Sequence, residues 1–124
     1  MTTLVWQGRE NAAATATDWV PRTDVVETDQ GYQLQLDLPG VKREELDIQV
    51  EHDTVTIKGE RKLASSLESY HRVERPHGSF SRVFLLPDAV NQTAIEAKLT
   101  DGVLNLFLPR REEAKPKQIQ VQVQ

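Results

Sequence analysis

The stretch "YQLQLDLPG" sets Tyr32, Leu34, Leu36 and Leu38 at every second position, with Gln33, Gln35 and Asp37 between them, and stops at Pro39 and Gly40. Apolar residues of period two lie on one face of an extended chain, so this segment reads as a strand with one side in a core and one toward water. The same pattern recurs in short pieces. "LDIQVEHD" turns Leu46, Ile48 and Val50 inward, "TVTIKGE" does so with Val55 and Ile57, and "SFSRVFLLP" is a full strand ended by Pro87. "AIEAKLT" puts Ile95, Ala97 and Leu99 on one side, and "VLNLFLP" follows up to Pro109. Asp101-Gly102 between the last two is a strong hairpin signal, and His52 to Thr54 is the turn between the second and third runs. "VKREEL" offers at most one helical turn, and no segment carries a longer helical period or an internal repeat. Short alternating runs broken by turn residues define an all-β sandwich or barrel.

A chain of 124 residues has room for one domain with a real core. The formal charge of -4 is uneven, because the segment after Pro109 holds four basic and two acidic residues while the remainder is net acidic. A phosphate backbone needs a basic face and none is evident, so nucleic acid is not expected as a partner. With no cysteine there is neither a disulfide framework nor thiolate chemistry, which fits a reducing compartment. The first 18 residues have no basic n-region and no long apolar run, so neither a signal peptide nor a membrane span is expected and the cytoplasm is the default location. His52, His71 and His77 match no metal-ligand spacing, and no nucleophile elbow, phosphate-cradling loop or metallohydrolase helix is present. The expectation is therefore no enzyme, no cofactor and no metal.

Three segments lie outside the alternating body. Residues 1–18 read as a flexible arm whose only apolar patch is Leu4, Val5 and Trp6. Residues 61–77 are too long for a hairpin loop, normally about 2 to 5 residues, and "SYHRVER" within them has weak strand character. Residues 110–124 begin as a charged, solvated tether and end in "KPKQIQVQVQ", where Ile119, Val121 and Val123 alternate with Gln. Such a tail has the pattern of a half-buried strand, yet nothing follows to pair with it.

The order "LDLPGVKREELDIQVE", "TVTIKGER", "HGSFSRVFLLP" and "AKLTDGVLNLFLP" resembles the α-crystallin domain of the small heat shock proteins, the Hsp20 family. The resemblance runs from Trp19 to Pro109, and its most specific parts are Ala-Lys-Leu-x-x-Gly-Val-Leu from Ala97 to Leu104 and Gly-Ser-Phe-Ser-Arg from Gly78 to Arg82. It implies an immunoglobulin-like β-sandwich, a homodimer as building block, and an ATP-independent holdase that binds partly unfolded client proteins. The long 61–77 segment is similar to the bacterial and plant type, in which this loop carries a strand exchanged with the partner subunit. By the same resemblance Tyr70, Arg72, Glu74 and Arg82 belong to the dimer interface, and Leu4, Val5 and Trp6 to client contact, although the family usually has a longer and more aromatic arm. Ile119-Gln120-Val121 matches the family's C-terminal Ile-x-Ile/Val motif, with Val123 as a third knob. The groove for that motif is expected between Leu46, Ile48 and Val50 on one strand and Ile95, Ala97 and Leu99 on another, where small Ala97 leaves a depression. The plain alternative is that both rows are core.

Arg82 shares its strand face with Phe80, Phe84 and Leu86, so it should be paired, or else snorkel to solvent. A second functional class, a co-chaperone or scaffold that uses the sandwich to dock another protein as p23-like domains do, gives the Ile-x-Val tail no purpose.

Overall fold

The computed structural model describes residues 17–112 and residue 121. Their seven strands are β1 (Thr23–Thr28), β2 (Gly31–Asp37), β3 (Leu46–Glu51), β4 (Thr54–Arg61), β5 (Gly78–Leu85), β6 (Glu96–Thr100) and β7 (Val103–Pro109). Single turns of 3-10 helix lie at Arg43–Glu45, Leu67–Ser69 and Gln92–Ala94. One sheet has the order β1-β2-β7-β6 and the other β3-β4-β5, with antiparallel pairing throughout. Together they form the expected two-layer β-sandwich.

The alternation read in β2 meets its counterpart in β7. Tyr32 pairs with Leu108, Leu34 with Leu106 and Leu36 with Leu104, and all six side chains are buried on the inner face. Val55 and Ile57 from β4 and Phe80 and Phe84 from β5 close the core from the opposite sheet. Each such side chain contributes about 1.5 to 3 kcal/mol of burial, against the entropy of ordering it. On the outer face Gln33 and Gln35 both donate through Nε2 to Asn105 Oδ1, at 3.4 and 3.0 Å, so this side of the sheet is held by amides rather than packing.

β1 has no strict alternation, because Val25 and Val26 are adjacent, and its sequence gave no distinct strand signal. The structure nevertheless pairs it along its whole length with β2, from Thr23 opposite Leu36 to Thr28 opposite Gly31. The expected turns are found: His52, Asp53, Asp101 and Gly102 all have positive φ, at 49°, 66°, 54° and 77°.

The weak strand expected in "SYHRVER" is not formed. Residues 70–77 have no strand assignment and pair with neither sheet of the chain. The ends of the described body are pinned. Asp18 Oδ2 accepts from Ser79 N at 2.8 Å, and Trp19 donates Nε1 to Gly78 O at 2.9 Å while its ring meets Phe80 edge-on at 5.2 Å. Residues 110 and 111, expected at the start of a solvated tether, are held by the sandwich: Arg110 pairs with Glu27 and lies 5.1 Å over the Tyr32 ring, and Arg111 N donates to Ala89 O at 2.7 Å.

Candidate docking groove and subunit surface

Residues opposite one another in an antiparallel pair share a face of the sheet. Ile48 lies opposite Ile57 and Ala97 opposite Leu106, and both partners are fully buried. Ile48 and Ala97 therefore face the inside of the sandwich, yet Ile48 is only half-buried and Ala97 is exposed. The reason is topological. β3 and β6 are the edge strands of their sheets, with no strand of the described residues on their outer sides. Where these edges border each other the sandwich is left open, and the interior face looks onto solvent.

The opening is a groove of about 440 Å³ lined by Leu46 and Ile48 of β3, Ala97, Lys98 and Leu99 of β6, Leu104 of β7, and Arg43 from the 3-10 turn. Leu104 is 1% exposed and forms an apolar floor. Arg43 and Lys98 bring positive charge to the lining. Of the six residues expected to wall a groove, Leu46, Ile48, Ala97 and Leu99 are brought together, whereas Val50 and Ile95 do not line it. Val50 lies opposite Val55 near the His52–Asp53 turn and is 36% exposed, while Ile95 packs against the core at the start of β6. Arg43 and Lys98 were missed, because Arg43 sits in the 3-10 turn and Lys98 alternates with Ala97 and Leu99 in mid-β6, and charged residues at both positions read as surface in sequence.

Of the tail knobs only Val121 lies among the described residues, and it is 82% exposed, so it does not occupy the groove of its own chain. Ile119 and Val123, and the arm residues Leu4, Val5 and Trp6, lie outside the described residues.

The residues expected at the dimer contact are not assembled within one chain. Arg72 and Glu74 are exposed and pair with each other at 2.6 Å, and Tyr70 is half-buried. Arg82 is half-buried on β5, where Nη1 donates to Pro21 O at 3.0 Å and to Thr23 Oγ1 at 3.2 Å and the guanidinium lies 4.9 Å from the Phe84 ring centre. Its charge is thus held at the β1–β5 border, opposite in the fold to the groove border. At the root of the long loop, Glu45 lies 3.1 Å from Lys62 Nζ, and the hydrogen bond and charge of that carboxylate hold the exposed ammonium above its ordinary value of 10.5.

Among the described residues no three His, Cys, Asp or Glu side chains gather as a metal site, and no helix is long and apolar enough to cross a membrane. What the described residues offer instead is a β-sandwich with accessible apolar inner surface and edge strands, the class of surface to which an extended segment can add.

That class has a family. The chain belongs to the Hsp20/alpha crystallin family, whose profile matches residues 24–124. It is 38% identical over 112 residues to small heat shock protein C2 of Rickettsia felis, covering 89% of this chain and 73% of that one. It is 41% identical over 99 residues to a 17.8 kDa class I heat shock protein of Arabidopsis thaliana, covering 77% and 63%. The chain thus spans between about three-fifths and three-quarters of the length of these curated relatives. Among solved structures, a small heat-shock protein from Xylella fastidiosa superposes with a TM-score of 0.74 at 41% identity, covering 86% of this chain and 99% of that one. The family consists of ATP-independent chaperones rather than enzymes, and membership supports a chaperone role for this chain.

Proposed function

We propose that the protein is a cytoplasmic holdase that acts without nucleotide, binds partly unfolded proteins and so lowers the free concentration of aggregating species. The observation that carries the reading is the open β3–β6 border, where interior-facing Ile48 and Ala97 are left accessible and joined into a groove. A partly folded client exposes apolar surface and unpaired edges, and covering them is a mass-action effect that needs no energy source.

In this reading the groove receives the Ile119–Val123 tail of another subunit by β-augmentation, with main-chain hydrogen bonds giving affinity and alternate side chains specificity. Ile119 and Val121 stand on one side of a strand about 7 Å apart, the same repeat that separates Leu46 from Ile48. The exposure of Val121 in the single chain supports a partner outside that chain. The 61–77 loop, with Tyr70, Arg72 and Glu74, pairs with a second copy near Arg82 to make the homodimer, and Leu4, Val5 and Trp6 contact clients. The scaffold alternative has no use for a groove matched to the chain's own tail.

Heating two or three unrelated clients with increasing amounts of the protein tests the activity by light scattering. Scattering should fall as the protein approaches stoichiometric ratio, equally with and without ATP; failure with every client would overturn the holdase reading.

A further inference from the structure

A guanidinium is buried at the root of the 62–77 connection. Arg61, the last residue of β4, is 9% exposed and is the one charged side chain in the buried set of the described residues. Its path runs over Gly40, where an added Cβ would lie 3.0 Å from Arg61 Nε and 3.5 Å from Cδ, so the bare Cα of glycine is what leaves the channel open. Nη1 donates to the Pro76 carbonyl, and among the described residues this is the only hydrogen bond of the guanidinium, which has no ion pair there. An arginine carries five N–H donors and a permanent charge. Burying it against one neutral carbonyl leaves a demand for an anion.

Two cavities meet on this side chain. The smaller, about 190 Å³, has Trp19, Val20, Pro39 and Pro76 as apolar wall, with Arg22, Arg75 and Asp37 beside Arg61. The larger, about 660 Å³, is shared by Arg61 and Arg75 and adds Lys42, Lys62, Glu45 and Glu60. Lys62 is neutralised by Glu45 at 3.1 Å. Among the described residues Arg22, Lys42 and Arg75 have no carboxylate partner, so around Arg61 four unpaired cations (Arg22, Lys42, Arg61, Arg75) face two other carboxylates, Asp37 and Glu60. No residue lines both these cavities and the tail groove.

We propose that Arg61, with Arg75 beside it, is the head-group site for a small amphipathic anion, an aryl or short alkyl carboxylate whose apolar part rests between Trp19, Val20, Pro39 and Pro76. A planar guanidinium takes a carboxylate through paired N–H donors, which suits Arg61 better than any neutral head group. The apolar cup is of the right size, since an apolar cavity of about 150 Å³ is enough for a benzene ring. Because Arg75 and Pro76 belong to the far end of the long connection, the ligand would join that end to β4 and to the turn at Pro39–Gly40.

The test uses the full chain with Trp6→Phe, which leaves Trp19 as the one indole. Phenylacetate is titrated at constant ionic strength, with phenylacetamide as neutral isostere and acetate as head group without a ring, and Trp19 emission and calorimetry are followed. Phenylacetate should bind saturably and at least about tenfold more tightly than either comparison compound, since one charge-assisted pair is worth that much or more. Arg61→Met should abolish binding. Arg75→Gln, at an exposed position, should keep the parent's circular dichroism spectrum and weaken binding about tenfold. The proposal is overturned if phenylacetate and its amide bind alike, or if Arg75→Gln leaves affinity unchanged. It is equally overturned if phenylacetate gives no saturable signal; an altered native mass for Arg61→Met would then assign the missing carboxylate to a second copy of the chain.

Discussion

If the tail docks as proposed, trimming it should loosen any larger assembly by an amount set by how much side chain the groove buries. Val121 is 82% exposed in the single chain, so nearly all of it is available for burial. Val121→Ala removes two methyl groups, worth about 0.8 kcal/mol each when buried, so a tail contact should weaken by about 1.6 kcal/mol, or roughly 15-fold. Ile119→Ala removes three carbons and about 2.4 kcal/mol, roughly 50-fold. The double variant approaches a thousandfold only if the two sites act independently, and neighbours in one groove often do not. From the groove side, Ala97→Phe fills the same space; Ala97 is exposed and its strand partner Leu106 stays covered, so the core is not displaced. Sedimentation velocity and native mass over a wide range of concentrations should show both kinds of variant shifting from larger species to dimers, with an unchanged β-sheet spectrum. If Ile119→Ala/Val121→Ala and Ala97→Phe keep the parent's masses at every concentration, the tail does not dock in this groove.

Deleting residues 65–76 and closing the gap with a short turn should give a folded monomer, because no strand of either sheet lies there; sedimentation decides it, and a deletion variant that stays dimeric places the contact elsewhere. Gly59→Ala should lower the urea midpoint by the equivalent of about 1 to 3 kcal/mol, because its Cβ would sit 2.6 Å from Phe80 Cζ and 2.8 Å from the Glu45 carbonyl oxygen, too close without overpacking. Glu45→Gln should bring the Lys62 pKa back down toward 10.5, read by NMR of the lysine side chain, since the Glu45 hydrogen bond and charge are the main causes of its rise. The pair favours the charged ammonium in the fold, so what it contributes is present below pH 10.5 and is lost as pH rises through the folded value; stability near neutral pH should not respond to small pH changes through this group.

Sequence alone determined the layers. Alternation in β2, β3 and β4 and the apolar runs of β5 and β7, punctuated by Pro39–Gly40, Pro87 and the two turns, mark the strands and which side chains share a face, because the period of a strand is a local property of the backbone. The family was legible for the same reason, since its marks lie in contiguous pieces such as "AKLTDGVL". The strand β1 was not legible, because an edge strand with adjacent valines is fixed by the hydrogen bonds that β2 offers it rather than by its own pattern. Nor could the sequence separate core from groove. Ile57 and Ile48 follow the same alternation and face each other across β3 and β4, but Ile57 is sealed and Ile48 is not. The same applies to Arg61, whose burial depends on Gly40 and Pro76, both distant in the chain. Exposure is decided by what the other sheet places over a residue, and that is settled only when strand order puts β3 and β6 at neighbouring edges with no described strand closing the gap between them.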